Sequence, residues 1–85
     1  MRPDAVSTDG PTSAERAWLA EVGMRVRLAR VARRESQERL GDRAGVTRAT
    51  VGSIERGDHP AVVLAYVRLA RALDLPVADL LDGAP

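Results

Sequence analysis

The chain has 85 residues, a formal net charge of +1, 45% hydrophobic residues and no cysteine. That length allows one small core of modest stability, and the missing cysteine excludes a disulfide framework or a cysteine-based metal centre to reinforce it. No run approaches the roughly 20 apolar residues of a membrane span, and the opening MRPDAVSTDGPTS lacks the apolar stretch of a signal peptide, so a soluble cytoplasmic protein is expected.

Residues 1–11, with Pro3, Gly10 and Pro11 among small polar side chains, hold too little apolar surface to order themselves and read as a disordered N-terminal arm. In TSAE, Thr12 stands three residues before Glu15, a capping-box start for a first helix running to about Arg34. Gly23 is a weak point at which that helix could kink or split. At 100° per residue Trp18, Val22, Val26 and Ala29 share one face, the expected core stripe. Met24, Leu28 and Val31 gather on nearly the opposite face, so this helix asks for two partners where a domain this small supplies one core.

Ser36 is the expected N-cap of a second helix that ends before Gly45, and Thr47 caps a third that reaches about Arg56 and closes on Gly57. After the loop DHP, a fourth helix is expected over about Ala61 to Leu73. Either Val63, Val67, Ala70 and Leu73 or Tyr66 and Leu69 face its core. Pro76, at the first helical position, opens a short fifth helix over Val77 to Leu81, and residues 83–85 fray. No segment alternates as a strand would, and the chain is expected to be all-α with residues 12–82 as its folded domain.

Two of these helices are tied together by the spacing between them. Leu40 and Ala44 lie at i,i+4 on the second helix, and Val51 and Ile54 at i,i+3 on the third. With three residues between the helices, both pairs can be buried only through a sharp bend, for which Gly45 supplies the backbone freedom and Gly41 the clearance. What remains outward on the third helix is Arg48, Ala49, Gly52 and Ser53. This face is small enough to enter the major groove of B-DNA, about 12 Å wide. Arg48 can reach O6 and N7 of guanine with two bonds, Ser53 and Thr50 can bond a base edge or a phosphate, and Ala49 can touch a thymine methyl.

The charge distribution supports an anionic partner. Residues 1–20 carry a net charge of −1, residues 21–57 carry +4 and residues 58–85 carry −2, so the basic charge is gathered around the bent pair of helices. All thirteen basic residues are arginine, which suits phosphate and guanine, although a GC-rich genome is the simpler source of that bias. Arg33, Arg34, Arg39 and Arg43 read as a general basic surface.

Gln37 to Gly57, QERLGDRAGVTRATVGSIERG, resembles the helix-turn-helix of the Xre or Cro/CI-like phage-repressor family, with small Gly41, turn Gly45, apolar Leu40, Ala44, Val46, Val51 and Ile54, and IERG at the close. The likeness extends upstream through Val22, Gly23, Val26 and Arg30 and downstream through RLARALDLPVADLL, over about Val22 to Leu81. It implies a five-helix lambda-repressor-like DNA-binding domain, here with an extended first helix, the helix-turn-helix at 36–56, and a third helix that reads the major groove. It further implies that Gln37 contacts a phosphate and braces the reading helix, and that Arg48, Ala49 and Ser53 take base-reading positions. Thr47, Thr50 and Arg56 take phosphate positions, and Arg30 and Glu55 form a structural ion pair.

The chain departs from the family pattern in three places. Arg34 and Glu35 stand where an apolar residue usually follows glycine, so the first turn should be repacked around Val31. Val62 and Leu64 occupy positions that are often polar, as do Met24 and Leu28. With Tyr66 and Val31 they make the candidate dimer interface, Met24, Leu28, Val31, Val62, Leu64 and Tyr66, against the simpler reading in which they pack under their own chain.

The chemistry of an enzyme is missing from the pattern. His59 is a lone histidine that cannot assemble a usual metal site, the hydroxyls of Ser36, Thr50 and Ser53 have no base nearby to activate them, and no phosphate loop or carboxylate pair is present. No catalytic residue, metal, cofactor, membrane partner or small-molecule ligand is expected. The sequence points to a sequence-specific DNA-binding transcriptional regulator, repressor or activator, that reads double-stranded DNA as a homodimer on a two-fold operator. A different reading, a protein-interaction module that keeps the helix-turn-helix as scaffold for a toxin, polymerase or regulator partner, would leave the Arg48 face without a purpose.

Overall fold

The computed structural model describes residues 10–58 and 61–85. Within them run five helices and no strand: α1 Ser13–Ala32, α2 Gln37–Ala44, α3 Arg48–Arg56, α4 Val63–Ala72 and α5 Val77–Leu80. Of the expected features, the loop histidine and most of the N-terminal arm lie outside the described residues.

The helix starts are chemical. Thr12 accepts from the Glu15 amide at 3.1 Å while the Glu15 carboxylate accepts from the Thr12 amide at 2.8 Å, closing the capping box. Ser36 accepts from the Arg39 amide at 3.0 Å and Thr47 from the Thr50 amide at 3.1 Å. Such caps contribute about 1 kcal/mol each. α4 has none: Val62 occupies its N-cap without a side-chain bond, and the Ala61 amide upstream donates to the Tyr66 hydroxyl instead. The helix therefore begins at Val63, two residues later than the Ala61 expected, and Pro76 likewise sits at the N-cap of α5 rather than inside its first turn.

α1 ends at Ala32, two residues early, because Arg34 takes a left-handed conformation at φ 58°. The Arg34 amide then donates to Val31 and the Glu35 amide to the Arg30 carbonyl, the paired bonds of a Schellman motif. Asp74 repeats the device after α4 at φ 55°, and the two turns are joined where Arg33 meets Asp74 at 2.7 Å.

α1 does not split at Gly23. A side chain there would have its Cβ 2.2 Å from the Ile54 carbonyl oxygen and 2.7 Å from that of Glu55. The residue is small because α1 crosses the end of α3 at this point, so its packing role outweighs its poor helix propensity. Gly41 has the same use on α2, its Cβ position lying 2.4 Å from the Val46 carbonyl oxygen in the turn.

The core joins all five helices: Val22 and Val26 from α1, Leu40 from α2, Val51 and Ile54 from α3, Ala65, Tyr66, Leu69 and Ala70 from α4, Leu73 just after it, and Leu80 from α5. Each large aliphatic side chain here contributes about 1.5–3 kcal/mol through burial. Trp18 and Ala29 flank this core half-buried, whereas Leu19 joins the buried set. On α4 neither expected alternative holds by itself. Tyr66 and Leu69 are buried with Ala70 and Leu73, while Val63 is exposed. α5 is held from α1, because the Trp18 indole donates to the carbonyls of Leu81 and Asp82, and Arg25 donates to those of Leu80 and Asp82.

Candidate nucleic-acid interface

The bend between α2 and α3 is set by backbone chemistry. Gly45 adopts φ 77°, a conformation that costs glycine nothing, and its amide and that of Val46 both donate to the Gly41 carbonyl at 2.8 and 2.9 Å. From α4, Arg68 donates to the Gly45 carbonyl at 3.1 Å, pinning the turn from the other side. Nothing in the local sequence pattern marked Arg68 for this, since the contact spans 23 residues.

Successive residues of α3 turn by 100°, so Arg48, Gly52, Arg56, Ala49 and Ser53 follow one another around a face opposite Val51 and Ile54. Arg48 and Ala49 are exposed and Ser53 is partly buried. Thr50 turns aside. Its hydroxyl accepts from Thr47 at 2.9 Å, and it borders a shallow hollow with Gly45, Val46, Val62 and Leu64. Both threonine hydroxyls at the start of α3 are thus engaged with each other, with Thr47 itself exposed.

Behind that face lies a connected polar group. Arg30 meets Glu55 through two bonds, Nε to Oε2 at 2.7 Å and Nη2 to Oε1 at 3.0 Å, and its third nitrogen donates to the Glu35 carbonyl at 2.8 Å. Gln37, at the start of α2, donates to Glu55 Oε1 at 3.1 Å. The two side chains of the ion pair are only 14% and 4% exposed. Desolvation works to raise the Glu55 pKa, but the hydrogen bonds from Arg30 and Gln37, with the charges of Arg30 and Arg27, outweigh it and hold the carboxyl below its ordinary range. One carboxylate therefore fixes α1, the start of α2 and the end of α3 relative to one another.

The turn at Glu35 is repacked by charge and not by Val31, which is exposed. Arg43 reaches Glu35 through two bonds of 2.7 Å and donates a third to the Ala72 carbonyl at the end of α4. Those bonds, more than the nearby charges, keep the Glu35 carboxyl below its ordinary range. Arg43 and Arg33 therefore have carboxylate partners within the fold while remaining at the surface.

Arg56 also has an internal partner, Asp58, at 2.7 Å. The sequence pattern did not reveal it, because a contact two residues away is reached only after the left-handed turn at Gly57.

Of the six residues expected at a dimer interface, Met24, Leu28, Val31, Val62 and Leu64 are exposed, Leu28 to 62% and Val62 to 74%. Tyr66 is not. It is buried in the core of its own chain and its hydroxyl serves Ala61, so it is removed from that set.

A family model described as a helix-turn-helix domain fits residues 21–82. The chain belongs to the helix-turn-helix family, in its Xre-like form. It is 40% identical over 45 residues to an uncharacterized HTH-type transcriptional regulator, YgzD, of Bacillus subtilis (strain 168), an alignment covering 53% of this chain and 68% of the relative. Its structure is similar to that of the restriction-modification controller protein C.AhdI from Aeromonas hydrophila, with a TM-score of 0.70, 38% identity, and coverage of 75% of this chain and 97% of that one. This helix-turn-helix protein is accordingly a DNA-binding regulator with the five-helix lambda-repressor-like fold. No helix among its described residues is long and apolar enough to cross a membrane.

Proposed function

We propose that this helix-turn-helix protein is a sequence-specific transcriptional regulator acting in the cytoplasm, with residues 12–82 as the DNA-binding unit. It binds double-stranded DNA as a homodimer on a two-fold operator, with half-sites about one helical turn, roughly 34 Å, apart. The observation that carries this is the exposed Arg48, Ala49 and Ser53 face of α3 held rigid from behind by the Arg30, Glu55 and Gln37 group. Arg48 and Ser53 read base edges and Ala49 a thymine methyl, while Gln37, Thr47 and Arg56 meet phosphates. Thr50, whose hydroxyl accepts from that of the N-cap residue Thr47 and so orients it, adds a phosphate contact at the edge of this surface.

Arg48→Ala is expected to cost about 1–3 kcal/mol and relax the preference at one base position, whereas Arg56→Ala should weaken binding to all sequences alike. Affinity across a set of single-base variants of the selected site measures both, and the opposite pattern would show that α3 is docked in a different register. Selecting bound fragments from the source genome supplies that site and its neighbouring genes. The likeness to the Aeromonas controller supports a role as a restriction-modification controller ahead of a prophage-type repressor or toxin-linked antitoxin.

The exposed apolar groups supply two faces for the second copy, Met24, Leu28 and Val31 on α1 or Val62 and Leu64 at the start of α4. A charge at the working face should dissociate the dimer. In sedimentation velocity, one of Leu28→Glu and Leu64→Glu is expected to give monomer with the fold retained; two unaltered dimers would exclude both faces. The same exposed groups are what favours the protein-interaction reading. That reading prevails if no genomic duplex is retained at moderate salt while a protein partner binds tightly.

A further inference from the structure

Asp58 is paired with Arg56, the residue read above as a phosphate contact. Its carboxylate Oδ2 accepts from Arg56 Nε at 2.7 Å, and its backbone is fixed independently of the loop beyond, because Gly57 turns at φ 68° and the Asp58 amide donates to the Ser53 carbonyl at 3.1 Å. The Arg56 guanidinium is thereby laid back along the outward face of α3. Its Nη1 lies 3.1 Å from the point where a Gly52 side chain would begin, and the Gln37 amide lies 3.5 and 3.7 Å from the same point. The Arg56 guanidinium and the Gln37 side-chain amide, whose nitrogen donates to Glu55, thus meet over a residue with no side chain, beside the positions proposed to read bases.

We infer that Asp58 is an internal stand-in for phosphate, which keeps Arg56 aligned in the free protein and must give it up when the protein docks on DNA. This rests on the DNA-binding reading above. The exchange is feasible because both side chains are substantially exposed, at 63% and 46%, and an exposed pair of this kind contributes little net stability. Its effect is a brake on backbone affinity. Every complex in which Arg56 takes a phosphate also leaves a carboxylate beside the duplex, which holds a cation that would otherwise be released. Base preference is untouched, since Asp58 works through a phosphate contact that all sequences share.

The test uses the full chain and a random-sequence duplex, with affinity measured across a salt series for wild type, Asp58→Asn, Arg56→Ala and the double variant. Asp58→Asn is expected to bind about 3–10-fold more tightly, to steepen the salt slope by up to about 0.9 per protomer, and to melt within a few degrees of wild type. In the Arg56→Ala background the gain should vanish. Equal binding by wild type and Asp58→Asn overturns the inference and leaves the DNA reading standing. A gain that persists without Arg56 also overturns it, because Asp58 would then act only as bulk charge. Absence of any salt-dependent duplex binding by the wild type overturns the DNA reading itself, and this inference with it.

Discussion

Gly23→Ala should lower the stability of the domain by about 3 kcal/mol, at the upper end of the cost of overpacking a core, and its melting temperature by roughly 15 °C. On an isolated helix the same change would be favourable by up to about 1 kcal/mol, because alanine is the better helix former. The sign reverses here because the new Cβ would lie 2.2 Å from the Ile54 carbonyl oxygen and 2.9 Å from the Glu55 carbonyl carbon, atoms of backbone that cannot turn aside. α1 and α3 would have to separate, loosening Val22, Val26 and Ile54 together. Gly52→Ala is the control, since its nearest neighbour is the far end of the Arg56 side chain at 3.1 Å. Thermal melts of the two variants check the argument, and equal stabilities would mean that the crossing at Gly23 is not close.

Breaking the ion pair behind α3 should cost a comparable amount. Arg30→Ala leaves a carboxylate that is 4% exposed with only the Gln37 amide to compensate it, and loss of one partner from a buried pair costs about 3–5 kcal/mol. Glu55→Ala should be similarly harmful, since Arg30 and Gln37 both lose their acceptor. The pair also carries a pH signature. Glu55 has its pKa lowered on folding, so its contribution is complete above the ordinary glutamate value of about 4.3 and is lost as pH falls through the depressed folded value. Melting curves between about pH 2.5 and 7 should show wild type losing stability in that acid range. Glu55→Gln should start lower at neutral pH and lose less on acidification. Melting temperatures unaffected by either alanine substitution would remove the ion pair from the account of stability. A Glu55→Gln curve parallel to wild type would remove its pH role.

The capping residues and the turn were legible because their interactions are local. Thr12, Ser36 and Thr47 each bond an amide three residues on, and Gly45 and Gly57 stand directly after the helices they close. A pattern of three or four residues contains all the atoms involved. The pairing of Arg30 with Glu55 spans 25 residues and was expected only through the likeness to a family; nothing in either residue's own neighbourhood selects the other.

The helix-turn-helix was written into the order of residues by itself: five helices, the capped starts of α1, α2 and α3, the bend at Gly45, and an outward face on α3 led by Arg48. Tertiary structure decided the rest. α1 and α4 are apolar on two sides, and a helix has the same local energy whichever side is buried, so only packing could place Tyr66 in the core and leave Leu28 and Val62 outside. Packing likewise turned Gly23 from a weakness of α1 into its crossing point with α3. Long side chains gained their partners last. Arg33, Arg43 and Arg56 had several carboxylates within reach along the chain, and the folded geometry assigned them Asp74, Glu35 and Asp58.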